Sequence, residues 1–271
     1  MDFIIKKPRN TNAALCLFAF LLALFPVTGF SKNITLHLAY SNVETFPTQM
    51  GEGSGVANPP GLAIDIIQCA CDEMGIKLTL SRYPNKRVQS YLNQSKIDGA
   101  FVFSYKPERK NWGVYPWHEG ELDKSRRLFE YSYHLYYRED NPKTYDRFLA
   151  KDPSQRIGVN RGYSIGGDLV SLGHIVEESK STSTNIKKLL SGRIDAVALH
   201  SVTADSYLKT YKIKGIKKVT AAIKSKNYYL VISDEFYLRD PVLVERLWSK
   251  IGAIRDQVIA ENAVNYLIPT K

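Results

Sequence analysis

The chain repeats itself once, at a point where a helix should give way to a strand. Ser95-Lys96-Ile97-Asp98-Gly99-Ala100 and Gly192-Arg193-Ile194-Asp195-Ala196-Val197 have the same form about a hundred residues apart. A helical stretch precedes each one: Val88, Tyr91 and Leu92 in the first case, Thr184–Leu190 in the second. A short apolar run follows each, Ala100–Phe103 and Ala196–Leu199, of a length suited to a buried strand. Two such helix–turn–strand units predict two lobes of related architecture.

The surrounding pattern supports that division. Ile34, Leu36, Leu38 and Tyr40 alternate with smaller or polar residues as an opening strand, and Gly, Pro, Asn and Ser then make residues 41–60 a long loop. Ile64, Ile67, Cys71 and Met74 recur at helical spacing, with Gly75 placed to end that helix. Lys77–Ser81 reads as a second strand with Leu78 and Leu80 inward, and Pro84-Asn85 opens the next helix. Strand–helix–strand–helix–strand is the order of a parallel sheet covered by helices. After an irregular stretch, Asn111–Arg127, the residues Leu128–Arg138 read as one long strand. The order then restarts with a strand at Arg156–Val159, a turn at 160–164, a helix near Gly166-Gly167-Asp168 and a strand at Ile175-Val176. Beyond the second Ile-Asp unit, Val202–Tyr211 reads as helix, Val219–Ile223 as extended and Tyr228–Ser233 as strand. Asp240 as N-cap and Pro241 at the first helical position start a last helix, whose apolar stripe is Val244, Leu247, Ile251, Ile254 and Val258.

The first residues read as an address and not as part of the fold. Lys6, Lys7 and Arg9 precede an unbroken apolar run, Ala13–Phe25, that Pro26 stops, and small residues follow near Gly29 and Ser31. Residues 1–31 are therefore expected to be a secretory signal peptide, with an uncleaved anchor as the alternative. The run is short of the roughly 20 residues that a membrane span requires. Removing it leaves a net charge of +8 out of +10, spread with acids interleaved and with no Lys/Arg run longer than two. That distribution reads as a solvated basic surface, and no nucleic-acid partner is expected. Cys69 and Cys71, two apart on a helix, point to nearly opposite sides; they read as small buried residues and not as a disulfide or a metal site.

Ser104 falls where the first repeat's strand should run out, and Arg109 follows five residues later. In open α/β sheets ligands bind beyond the carboxyl ends of strands. A hydroxyl and a guanidinium fork there suit a carboxylate, the alternative being a solvated surface turn.

These pieces, together with Gly61-Leu62-Ala63-Ile64-Asp65, Ser104-Tyr105-Lys106-Pro107-Glu108-Arg109 and Ile157–Ser164, resemble the bacterial extracytoplasmic solute-binding proteins of family 3, the polar amino acid type that serves ABC importers. The resemblance spans roughly residues 33–267. It implies an α/β fold of the two-lobed periplasmic binding protein kind (Venus flytrap, type II), each lobe a mixed, mainly parallel sheet flanked by helices. It places lobe one at 32–130 and 225–271 and lobe two at 131–224, with crossings near Phe129–Tyr133 and Ile223–Asn227. It implies a periplasmic monomer that uses no cofactor and no metal and hands a small polar or anionic solute to an inner-membrane ABC permease, or reports it to a membrane sensor.

Mapped by motif, Arg109 falls at the family's carboxylate-binding arginine and Ser104 at a ligand-contacting hydroxyl. Tyr163 and Ser164 stand at a lobe-two helix N-terminus, where backbone N–H groups favour an anion. Phe46 matches the first aromatic contact, and Trp117 with Tyr115 would wall the ligand or pack at the hinge. One position departs: five residues after the second Ile-Asp aspartate, where amino acid binders commonly carry an acid, this chain has His200. The departure puts a standard α-amino acid in doubt. The competing function is an extracytoplasmic enzyme on the same fold, dehydratase-like, for which His200 and Glu108 are the acid–base candidates. No catalytic motif supports it, and the chain is expected to be a binding protein and not an enzyme.

Overall fold

Where the two Ile-Asp turns fall, the backbone is pinned in the same way twice. The computed structural model of the protein describes residues 34–141 and 154–266, so the expected leader lies outside the described residues. Strand β1 (Ile34–Ser41) is followed by the long loop and then by helix α1 (Leu62–Glu73). Gly61, at φ +120°, lets the loop pass close beneath the start of α1: a side chain there would run into the Thr48 carbonyl. Strand β2 (Ile76–Tyr83), helix α2 (Asn85–Asn93) and strand β3 (Gly99–Ser104) complete the first unit. At the turn into β3, Asp98 N–H donates to the His37 carbonyl (2.9 Å) and the Asp98 carboxylate accepts from His37 N–H (2.8 Å).

A small hairpin, β4 (Trp117–His118) with β5 (Glu121–Leu122), interrupts the irregular stretch. Long strand β6 (Phe129–Arg138) leads to the second unit: β7 (Arg156–Asn160), α3 (Ser164–Ser171), β8 (Ile175–Ser179), α4 (Thr182–Leu190) and β9 (Ala196–His200). There Asp195 N–H donates to the Arg156 carbonyl (2.9 Å) and the Asp195 carboxylate accepts from Arg156 N–H (2.8 Å). Both preceding helices end on a residue of positive φ, Ser95 at +50° and Gly192 at +70°. The repeat is thus a device for ending a helix and satisfying the donor of a neighbouring strand in one turn.

Helix α5 (Ser201–Thr210), β10 (Ile216–Lys218), β11 (Lys224–Ile232), α6 (Asp234–Arg239) and α7 (Pro241–Asn262) finish the chain. All strands except the hairpin join one curled sheet in the order β2-β1-β3-β11-β6-β9-β7-β8, with β10 beside the far end of β6. Within each unit the strands are parallel, whereas β11 and β6 run antiparallel to their neighbours and join the halves: Lys224–Tyr228 pairs with Phe129–Tyr133. Helices cover both faces, which is why the parallel strands read as nearly continuous apolar runs. α1 and α7 shield Leu36, Leu38 and Tyr40, while Val88 and Leu92 of α2 pack on Ala39 and Ala100.

Two sequence expectations shift. The extended segment placed at Val219–Ile223 is instead the strand Ile216–Lys218, followed by an excursion. Val219 N–H reaches the Leu135 carbonyl and Ile223 N–H the Tyr133 carbonyl, so residues between them bulge off β6. Strand β11 also begins four residues before Tyr228, because β6 supplies the pairing that its polar start does not announce. The last helix begins as its residues dictate: Asp240 accepts from Leu243 N–H (3.0 Å), Pro241 is its first residue, and Val244, Leu247, Ile251 and Val258 are buried. Cys71 is buried, its thiol pushed up to about 12 by burial, and Cys69 is half-buried; both are free. No helix among the described residues is long and apolar enough to cross a membrane, and no group of His, Cys, Asp and Glu there could hold a metal ion.

Candidate functional site

The carboxyl ends of β1, β3 and β9 converge with the turn between β7 and α3 on one cavity of about 30 Å³. Ser41, Ser104 and His200 end those three strands, and Gly162, Tyr163 and Ser164 come from the turn. A cavity this small has room for about two or three waters, since each needs roughly 10–15 Å³ of such volume.

Strand β3 reaches the cavity through a bulge. Tyr229 pairs with Phe103 and Leu230 with Phe101, leaving Val102 as an extra residue at φ +62°. A β-branched residue in the left-handed region costs about 1–3 kcal/mol and persists only where the surroundings enforce it. The extra residue lets Phe103 and Ser104 regain the β11 register beyond the bulge, and Ser104 is buried at the strand end.

Pro107–Trp112 then forms a 3₁₀ turn that brings Arg109 back over Ser104. Arg109 is 5 % exposed, and its guanidinium donates to the Ser104 carbonyl (2.8 Å), the Ser104 hydroxyl (3.3 Å) and the Gly162 carbonyl (3.4 Å). Its flat face lies near the rings of Phe103 and Trp112. Among the described residues the cavity lining holds this one guanidinium and no Asp or Glu. Opposite, Ser164 opens α3, and its hydroxyl accepts from Ser104 Oγ (2.9 Å) and from Lys226 Nζ (2.8 Å). The Tyr163 hydroxyl bonds Thr45 Oγ1 (2.7 Å), a second link between the halves.

His200 is enclosed by aromatic rings. Tyr131, Tyr133, Tyr163 and Tyr228 all have centroids within 5.6 Å of it. Burial, helped by the charge of Lys226, pushes its imidazole down to about 3, so it is neutral. Its Nε2 lies 2.7 Å from the Tyr228 hydroxyl, which donates to the Tyr133 hydroxyl (3.0 Å). Nε2 therefore carries the proton, and Nδ1 is a bare acceptor with no partner among the described residues.

Five of the residues expected from the sequence, Arg109, Ser104, Tyr163, Ser164 and His200, line this cavity together. Phe46 and Trp117 do not. Phe46 packs its ring on the main core, and its carbonyl accepts from Thr203 Oγ1 (3.0 Å). Trp117 is exposed on the hairpin, edge-on to Tyr105 at 5.2 Å, because the β4–β5 turn carries it outward. Of the two acid–base candidates, His200 lines the cavity, while Glu108 borders a separate crevice on the far side of Ser104.

That crevice, about 450 Å³, holds a residue that sequence reasoning missed. Lys226, 8 % exposed, makes direct contact with the Asp168 carboxylate, on which Lys106 (3.5 Å) and Lys224 (3.8 Å) also converge. Burial lowers the Lys226 ammonium to about 8 against the pull of Asp168. Burial alone would raise Asp168, but the hydrogen bond and charge of Lys226, with Lys106 and Lys224, hold it below the usual carboxylate range. The two directions differ; the ion pair governs near neutral pH, because three ammonium groups favour the carboxylate. Tyr133 and Tyr228 were missed as well. The signal for Tyr133 was the alternation along the aromatic strand, where Phe129, Tyr131, Tyr133 and Leu135 turn inward in sequence.

No family model matches the chain, and no curated protein matches it in sequence. Solved structures do match. An ancestral arginine-binding protein bound to glutamine has a TM-score of 0.66 at 19 % identity, over 86 % of this chain and 97 % of that one. The ligand-binding core of GluR0 from Nostoc punctiforme, in complex with L-glutamate, has 0.65 at 16 %, over 86 % and 100 %. An ancestral amino acid-binding protein, a precursor of cyclohexadienyl dehydratase, has 0.63 at 16 %, over 84 % and 94 %. At these identities the likeness is one of architecture: the chain has the two-lobed α/β fold of periplasmic binding proteins.

Proposed function

We propose that the chain is an extracytoplasmic solute-binding protein that captures a small carboxylate-bearing solute for an ABC importer. One observation carries this reading. A buried guanidinium, Arg109, faces the first turn of α3 across a cavity whose lining has no acid to neutralise it. A buried cation of this kind is costly unless paired, and a bound carboxylate supplies the pair. The names of the structural neighbours, binders of glutamine, glutamate and amino acids generally, support the same solute class.

On this reading lobe one is 32–130 with 225–271, lobe two is 131–224, and the leader directs export to the periplasm. A cavity of about 30 Å³ is far below the roughly 300 Å³ of a ligand site, so the lobes open to admit the solute and close over it. Closure would then present the surface that a permease, or a membrane sensor, reads. The dehydratase precursor among the neighbours keeps a second reading in view: an enzyme on the same scaffold, with His200 as its proton-handling group.

Thermal unfolding with carboxylate solutes tests the proposal. At a hundredfold excess over Kd, a solute that binds only the folded state stabilises it by about 2.7 kcal/mol. Arg109→Ala is expected to abolish the shift while the protein stays folded. A shift that survives the substitution would overturn the site. Mass spectrometry of the recovered solute separates the readings: an unchanged solute fits a binding protein, a dehydrated one an enzyme.

A further inference from the structure

We propose that the solute held at Arg109 is a hydroxy-carboxylate, an anion without a cationic group, and not a zwitterionic amino acid. The inference rests on the carboxylate-binding reading and sharpens it from charge balance and hydrogen-bond demand.

Charge comes first. An ammonium group needs an acid or several acceptors once it is removed from water. The cavity lining offers Arg109 and no carboxylate. A second cation stands one hydroxyl away, since Lys226 donates to Ser164 Oγ, which accepts from Ser104 Oγ. The acid near Lys226, Asp168, is already shared with Lys106 and Lys224. A second carboxylate on the solute would find these ammonium groups once Ser104 and Ser164 part, because Ser104 borders both the cavity and the lysine crevice. Beside Ser104 and Ser164 an ammonium would instead meet these cations, while the acid on the other side, Glu52, stands in an outer crevice that shares Ser41, Asn85 and Tyr163 with the cavity.

Asp205 does not change the balance. It lies five residues beyond His200, as Arg109 lies five beyond Ser104, but it turns away on α5. It accepts from the Tyr136 hydroxyl (2.7 Å) and contacts Lys218.

Hydrogen bonding points the same way. Nδ1 of His200 is a buried, unpartnered acceptor, and Nε2 is fixed as a donor by the Tyr228–Tyr133 chain. It asks for a donor from the solute, as does Gln49 Oε1 on the same lining. A hydroxyl meets the demand of His200 without bringing charge, and neither neutral acceptor has a negative charge to offer an ammonium.

Calorimetry on the mature chain with matched pairs tests this: L-malate against L-aspartate, L-2-hydroxyglutarate against L-glutamate, and L-3-phenyllactate against L-phenylalanine. At least one of the hydroxy acids is expected to bind, tenfold or more tighter than its amino acid counterpart. His200→Asp is expected to shrink or reverse that preference. If His200→Asp does not fold, Lys226→Gln is expected to narrow the same gap. An amino acid that binds as tightly as its hydroxy acid, with binding lost in Arg109→Ala, overturns this inference and leaves the carboxylate reading standing. A panel in which nothing binds at millimolar concentration overturns both, as does a hydroxy acid whose binding ignores Arg109→Ala.

Discussion

The unit built on β1–β3 and the unit built on β7–β9 share one scaffold and differ at its tips. In both, the aspartate of the Ile-Asp turn exchanges two bonds of matching length with the backbone of the central strand, 2.9 and 2.8 Å each time. In both, the inner parallel strand ends in a buried polar residue facing the cavity, Ser104 in one and His200 in the other. The first strand takes six residues from its aspartate to that end and the second takes five, and the Val102 bulge is the difference. Five residues further on, the first unit supplies Arg109 to the cavity, while the second carries Asp205 away to Tyr136 and Lys218. Backbone satisfaction is kept the same at the strand starts, and chemistry diverges at the strand ends.

The sharpest way to break this comparison is Arg109→Ala, which should cost about 2–5 kcal/mol of solute binding, as expected for removing one partner of a buried charge pair. Asp205→Ala should leave solute affinity within threefold by the same calorimetry. Equal losses would mean that both units feed the cavity. Next in size is valine to glycine in each inner strand. Val197→Gly, fully buried in regular β9, should lose about 3 kcal/mol of unfolding free energy. Val102→Gly should lose less than about 1 kcal/mol, because relief of the positive φ offsets the lost packing. Denaturant midpoints decide between them, and similar losses would remove the strain argument.

Asp98→Ala and Asp195→Ala should each cost about 1.5–3 kcal/mol, since each leaves a strand N–H without its charged acceptor. A difference above 1 kcal/mol between them would show that the repeated turn is not equivalent in the two halves. The last effect is pH-dependent. His200 titrates near 3 when folded and near 6.5 when unfolded, so the unfolded chain binds the extra proton between those values. Its contribution is fully present above about pH 6.5 and is lost as pH falls toward 3, by at most about 1.4 kcal/mol per pH unit. His200→Phe should flatten that slope relative to wild type between pH 7 and 5.5.

Much of this was legible in the residues, for reasons that can be named. β1 alternates because one residue in two meets α1 and α7, and the last helix declares itself through Asp240 and Pro241. Ser104 and Arg109 stood out because a polar pair at the end of an apolar strand has few structural uses. Lys226 stayed hidden because Lys224–Asn227 has no strand character of its own and is held extended by β6 across the sheet. The bulge was illegible for a stronger reason, since valine is a poor residue for positive φ and only the tertiary register imposes it. Trp117 misled because an aromatic near the site in sequence is carried off it by the hairpin Trp117–Leu122.

The pairing of Phe129–Tyr133 with Lys224–Tyr228 has one more consequence. Tyr131 and Tyr133 flank His200, Tyr228 bonds to it, and Lys226 reaches Ser164, all from this one two-stranded ribbon. A ribbon two strands wide yields to torsion far more easily than the sheets on either side. On the binding-protein reading proposed above, whatever fills the cavity leans on the element about which the lobes would turn, so a substitution in the ribbon should change solute affinity and closure together.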